Sequence, residues 1–194
     1  QREIQRKPRL VNSRWAILVL TVIAAALRFY GYADWSLSND ELSALARLQF
    51  DSFSDLLNNG IRIDGHPPAA QTLLYYWTGM FVNSPASVRI PFVIAGVLSV
   101  PMLFQVGKTW FSESTGLLSA AAFTALEFPM LYSRICRPYA LGLFFILVAA
   151  YFTGRILFSE QKPRALHSFG LAISLALCVY SHYFAGLAAA ILAG

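Results

Sequence analysis

Hydrophobic positions run along this chain in long blocks, not in the short stripes of a soluble domain. The blocks cover residues 15–27, 90–107, 114–133 (with Glu127 inside), 138–154 and 165–194. Each of the first four, with its flanking residues, matches one membrane crossing of roughly 20 residues. The last block holds no Asp, Glu, Lys or Arg, but the polar step Ser181-His182-Tyr183 divides it into two spans. A further uncharged stretch at 67–88 loses its apolar character after Val82, so its apolar part is about 16 residues long, short for a crossing. Internal repeats and low-complexity tracts are absent from the sequence. The predicted fold class is all-α: a polytopic transmembrane helical bundle.

Composition agrees. The 194 residues are 57% hydrophobic and only 13% charged, against about 25% charged in an ordinary soluble domain. The chain begins at Gln1 without Met and stops at Gly194 inside an apolar run. Residues 1–194 therefore read as the N-terminal part of a single transmembrane domain whose C-terminal remainder lies outside this sequence. Cys136 and Cys178 stand far apart without metal-ligand or redox spacing.

Charge placement sets the orientation. Lys and Arg total 15 against 10 Asp and Glu, and they sit between apolar runs, not in one patch, which argues against a nucleic-acid partner. Short cytoplasmic loops are enriched in Lys and Arg. With the N-terminus inside and residues 67–82 lying in the membrane surface, the inside segments hold Arg2, Arg6, Lys7, Arg9, Arg14, Lys108, Arg155, Lys162 and Arg164 against Glu3, Glu113 and Glu160. Letting 67–82 cross would put the basic 155–164 loop outside. A long external first loop, residues 31–88, carrying surface-lying helices is the consistent arrangement. A cleaved signal peptide over residues 1–26 is the competing reading, and the basic lead with further spans after it favours an uncleaved anchor.

The external loop carries candidate chemistry. Leu37-Ser38-Asn39-Asp40-Glu41 predicts a helix capped by Ser38 or Asn39, its first turn holding two carboxylates near the positive end of the dipole. Leu42, Leu45, Ala46 and Phe50 give it an apolar face. Structurally the acidic pair needs no more than that; functionally, Asp40 sits just outside the first span, where it can deprotonate an acceptor hydroxyl. A second short helix is predicted over 53–57, ended by Asn58-Asn59-Gly60. Asp64-Gly65-His66-Pro67-Pro68 makes a rigid corner before an aromatic surface helix containing Leu73 to Trp77. Arg134, Arg137 and Tyr139 lie on the outer side between two spans, where Arg can fork onto phosphate oxygens or snorkel to lipid headgroups. Glu127 inside a span is functional or paired with Arg134. His182 either faces the same outer cavity or bonds between helices.

These pieces, in this order, resemble the GT-C superfamily of membrane glycosyltransferases, specifically the protein O-mannosyltransferase and aminoarabinose transferase relatives. The matching residues are Asp40-Glu41, His66-Pro67-Pro68, Arg89-Ile90-Pro91, Arg137-Pro138-Tyr139 and Ser181-His182-Tyr183. The resemblance implies a sugar donor on a polyprenyl phosphate, an active site on the external or periplasmic face, and a multi-pass enzyme of the inner (plasma) membrane. Asp40 and Glu41 are then the catalytic candidates, and Asp64, His66, Arg134, Arg137, Tyr139 and His182 the substrate-binding ones. The expected mechanism inverts the sugar: Asp40 serves the acceptor, a glycan, lipid or protein, while Arg134 and Arg137 stabilise the leaving phosphate. Glu41 and Asp64 orient the acceptor or hold a divalent cation; no fixed ligand set marks a metal. Two other readings are a noncatalytic membrane subunit docking a partner or lipid, and a transporter. Against the transporter, Gly/Pro interruptions at matching repeat positions are absent.

Overall fold

The computed structural model describes residues 12–159 and 165–194, with the side chain of Asp64 excepted. Among these residues it is helical, with no strand. The helices are α1 (Ser13–Phe29), α2 (Asn39–Ala46), α3 (Phe53–Asp55), α4 (Arg62–Asp64), α5 (Ala69–Met80), α6 (Pro85–Trp110), α7 (Glu113–Ala125), α8 (Glu127–Ser133), α9 (Tyr139–Leu157), α10 (Ala165–Ser181) and α11 (Tyr183–Ala193). A π-helical turn, Leu56–Ile61, joins α3 to α4.

Two helices, α6 and α9, are long and apolar enough to cross a membrane. Helix α6 is the hub: α1, α7 and α9 pack on it, α10 packs on α9, and α11 on both of these last. Apolar side chains of α1, α6 and α7 (Ala24, Val100, Phe104, Ala120, Phe123) form one buried cluster. Ala149, Cys178, Ala185 and Ala189 form another between α9, α10 and α11. The α6–α7 turn is tight because its backbones touch: a Cβ on Gly107 would stand 2.6 Å from the Cα of Gly116, closer than any packed carbon. Pro91 and Pro101 lie inside α6, which runs on through both.

A third cluster, built from Ala44, Ala70, Leu74, Val88, Phe92, Cys136 and Ala140, holds the external segments down on α6 and α9. Helix α5 has 12 residues, about 18 Å at 1.5 Å per residue, well short of the roughly 30 Å hydrocarbon core. Its Leu74 is fully buried, its Tyr76 is half exposed, and Trp77 Nε1 donates to the Ser87 carbonyl at 2.9 Å. At this length α5 is too short to cross by itself.

Three expectations need correction. The block at 114–133 is not one helix: α7 ends at Ala125, Leu126 is extended (φ −68, ψ 130), and α8 starts at Glu127. Pro129 is the cause, since its ring clashes with the carbonyl four residues back, that of Ala125, and it has no N–H to give. Glu127 is consequently an exposed residue of a helix first turn. The helix expected to stop at Asn58-Asn59-Gly60 continues to Asp64. Its wide π turn puts Leu56, Gly60 and Ile61 together on the buried side, and Arg62 Nη1 bonds the Asn58 side chain at 3.0 Å. Finally, α2 buries Glu41 and Ala44 while Leu42 is half exposed, so its inward face is set by an ion pair and not by the stripe containing Leu42.

Candidate active site

Ser38 caps α2. Its hydroxyl accepts from Glu41 N at 3.3 Å, while its own N–H donates to Glu41 Oε2 at 2.9 Å. This reciprocal capping box leaves Glu41 pointing back across the helix start, into the protein. There Arg89, one turn into α6, forks onto it: Nε to Oε1 at 2.8 Å and Nη2 to Oε2 at 2.9 Å. The Cys136 N–H adds a bond to Oε1 at 3.0 Å. Four donors thus occupy the roughly four lone-pair sites of a carboxylate. Glu41 is 1% exposed and Arg89 3%.

Arg89 also gathers the loop after α1. Nη1 donates to the carbonyls of Tyr32 (3.0 Å) and Trp35 (2.9 Å), and Nη2 to that of Ser36 (3.1 Å). One ion pair therefore ties together the 31–38 loop, α2, α6 and the 134–138 turn. Burial alone would raise the Glu41 pKa, but the Arg89 fork, with the Ser38 and Cys136 amides, outweighs it and holds the carboxyl at about 2. Burial, with the Glu41 charge beside it, pushes the Cys136 thiol up to about 12, so this cysteine is inert.

Asp40 precedes this lock and is exposed. Its backbone carbonyl accepts from Arg137 Nη1 at 3.4 Å, which brings the 134–138 turn beside the start of α2. His66 and Arg137 line one small cavity with Pro67, Gln71 and Pro138. His182, in the break between α10 and α11, caps α11 by accepting from Phe184 N at its Nδ1 (3.2 Å). Its ring lies 5.5 Å from that of Tyr139. Burial, together with His66 and Arg137 facing it, lowers the His182 pKa below the ordinary histidine value, so it is neutral near pH 7. Tyr183, next in the chain, donates its hydroxyl to the Gly65 carbonyl and places its ring 6.3 Å from His66. Gly65 ends α4 in the left-handed conformation (φ +69), which glycine adopts without strain.

Five residues from four segments far apart in sequence thus converge: Asp40, His66, Arg137 with Tyr139, and His182. Arg134 goes elsewhere. Its Nε donates to the Arg28 carbonyl at 3.2 Å, and Nη2 donates to the carbonyls of Leu27 and, at 2.9 Å, Tyr30. It closes the C-terminus of α1, where a cation suits the orphan carbonyls, and its partner is not Glu127. Arg134 and Arg137 therefore do not share a helical face, since α9 begins only at Tyr139. Asp64 lies at the end of α4, its side chain outside the described part. No group of three or more His, Cys, Asp or Glu able to hold a metal occurs among the described residues.

Beneath Tyr139 is a cavity of about 420 Å³ lined by Gly96, Ser99, Phe123, Phe128, Pro129, Tyr132, Ala140 and Leu143. Phe128, Tyr132, Tyr139 and His182 run from this cavity to the converged site, with successive rings 4.4, 5.0 and 5.5 Å apart. Sequence reasoning missed what Arg89 does. The available signal was an arginine on the packed side of an apolar helix, which demands a carboxylate partner because unpaired charges are not buried. Gln71 and Tyr183 gave no comparable signal.

The sequence model of the family described as dolichyl-phosphate-mannose-protein mannosyltransferase matches residues 65–193. No curated protein and no solved structure matches the chain.

Proposed function

Because this chain belongs to the dolichyl-phosphate-mannose-protein mannosyltransferase family, membrane glycosyltransferases of the GT-C type, we propose that it carries the donor end of a site transferring a sugar from a polyprenyl phosphate. The transfer takes place at the external face of a multi-pass inner (plasma) membrane protein whose N-terminus is cytoplasmic. The observation that carries this reading is Arg137: it touches the Asp40 backbone and faces His66 and His182.

In the proposed reaction the acceptor hydroxyl attacks the anomeric carbon from the side opposite the phosphate. Its proton passes to the Asp40 carboxylate. The bond from the anomeric carbon to the phosphate oxygen breaks, and its electron pair leaves with the polyprenyl phosphate, so the configuration inverts. Arg137 stabilises the charge that develops there, the larger of the two contributions. The cavity under Tyr139, apolar and aromatic, suits the first prenyl units of the donor. Glu41, saturated by four donors, positions Asp40 and does not itself meet substrate.

A transfer assay with the full-length protein and polyprenyl-phosphate sugars tests the reading against the noncatalytic subunit, for which no donor would react. Within that assay Arg137→Lys keeps the charge but loses the planar fork. We expect donor affinity to fall roughly ten- to a hundredfold, the loss of one charged hydrogen bond. Arg134→Lys is expected to lower thermal stability with little change in donor affinity. Equal donor affinity for Arg137→Lys and the unaltered protein would remove the phosphate assignment.

The orientation has its own check. Asn59→Cys and Ser159→Cys, both at exposed positions, should react differently with an impermeant thiol reagent applied from outside, Asn59→Cys being labelled. The two native cysteines are buried and give little background. Labelling confined to Ser159→Cys would invert the topology.

A further inference from the structure

Gln71 sits on the first turns of α5 and is 7% exposed. Its side-chain oxygen, and the Nε of Arg137, are buried polar atoms with no hydrogen-bond partner. Both residues line the same cavity, about 20 Å³, with His66 on its rim and Ala44, Ala70, Leu74 and Cys136 among its walls. One orphan is an acceptor and the other a donor. Leaving a buried polar group unmade costs about 1–3 kcal/mol, so two of opposite kind on side chains that line one cavity call for a common partner. A single water needs roughly 10–15 Å³ and two or more polar contacts; this cavity has the volume, and its lining residues carry the two polar groups.

We propose that a buried water occupies this cavity, accepting from Arg137 Nε and donating to Gln71 Oε1, and that Gln71 is thereby a positioning residue for Arg137. The guanidinium is then held at two nitrogens: Nη1 by the Asp40 carbonyl at 3.4 Å, and Nε through the water by α5. A long, flexible side chain on a non-helical turn becomes a fixed fork, and the ordering entropy is met before the phosphate arrives. The same bridge couples the His66-Pro67-Pro68 corner to the donor end of the site, because Gln71 and Pro67 belong to the same cavity wall. This inference rests on the reading of Arg137 as the phosphate-binding group of the proposed transferase.

The test uses the full-length enzyme with a polyprenyl-phosphate sugar. Gln71→Leu keeps the volume and removes the acceptor. We expect its donor KM to rise about tenfold, with kcat at saturating donor within about twofold. In an Arg137→Lys background, which has no Nε–H, Gln71→Leu should add nothing further; a purely structural role for Gln71 would add its full effect there too. If Arg137→Lys raises the donor KM and Gln71→Leu does not, the water link is overturned while the transferase reading stands. If neither changes it, the Arg137 reading fails first. Should Gln71→Leu not fold, the unaltered full-length protein decides: ordered water density between Gln71 Oε1 and Arg137 Nε supports the link, and its absence at a resolution showing other buried waters overturns it.

Discussion

Asp40→Asn in the full-length protein is expected to cut sugar transfer by about 10²- to 10⁴-fold, the range a positioned general base contributes. The side chain is exposed and the change is isosteric, so stability should stay within about 0.5 kcal/mol. Donor affinity should also hold, since Arg137 contacts the Asp40 backbone and not its carboxylate. Turnover near that of the unaltered enzyme would transfer the base role to another carboxylate.

The second large effect falls on the fold. Arg89→Leu strands the Glu41 carboxylate in a site where it is 1% exposed, and removing one partner of a buried pair costs about 3–5 kcal/mol. It also releases the Tyr32, Trp35 and Ser36 carbonyls. Thermal unfolding in detergent should shift strongly downward, and proteolysis should open the 31–38 loop first. Acid should act on the same lock. The Glu41 pKa is depressed to about 2 from an ordinary 4.5. A depressed carboxyl stabilises the fold fully above its unfolded value and loses that contribution as pH falls through the folded one. The stability supplied by this group therefore drains away between about pH 4.5 and 2, and Arg89→Leu should abolish the pH dependence over that window. An acid profile identical in the two proteins would show that the pair does not set it.

Local rules made much of this legible before any coordinates. A helix capped by Ser38 or Asn39, the corner at 64–68 and the shortness of the 67–82 stretch are all decided by neighbours within a few residues; the structure chooses Ser38 as the cap and gives the stretch a helix of only 12 residues. What failed to show was decided at long range. Glu41 was a catalytic candidate beside Asp40 through the resemblance, and nothing nearby in sequence announces its partner, which is 48 residues away. Arg134 looked like a phosphate ligand by proximity to Arg137, yet its donors go to carbonyls more than 100 residues back. The break at Leu126 was partly visible in Pro129. A proline permits either a kink or a full interruption, and packing chooses: α6 runs through its two internal prolines while α7 stops before this one.

The hydroxyl of Tyr183 reaching back to Gly65 spans 118 residues, whereas the Glu41–Arg89 pair closes over 48. During synthesis the second contact is available as soon as α6 is made. At about 5–20 residues per second, Tyr183 follows Arg89 by on the order of ten seconds. The acidic end of the site is thus built early and waits, and the His66 corner receives its latch only when α11 enters. A ribosome stalled between α9 and α11 would hold a chain whose lock has formed and whose pocket is still open, a state in which quality-control proteases could distinguish finished from unfinished molecules.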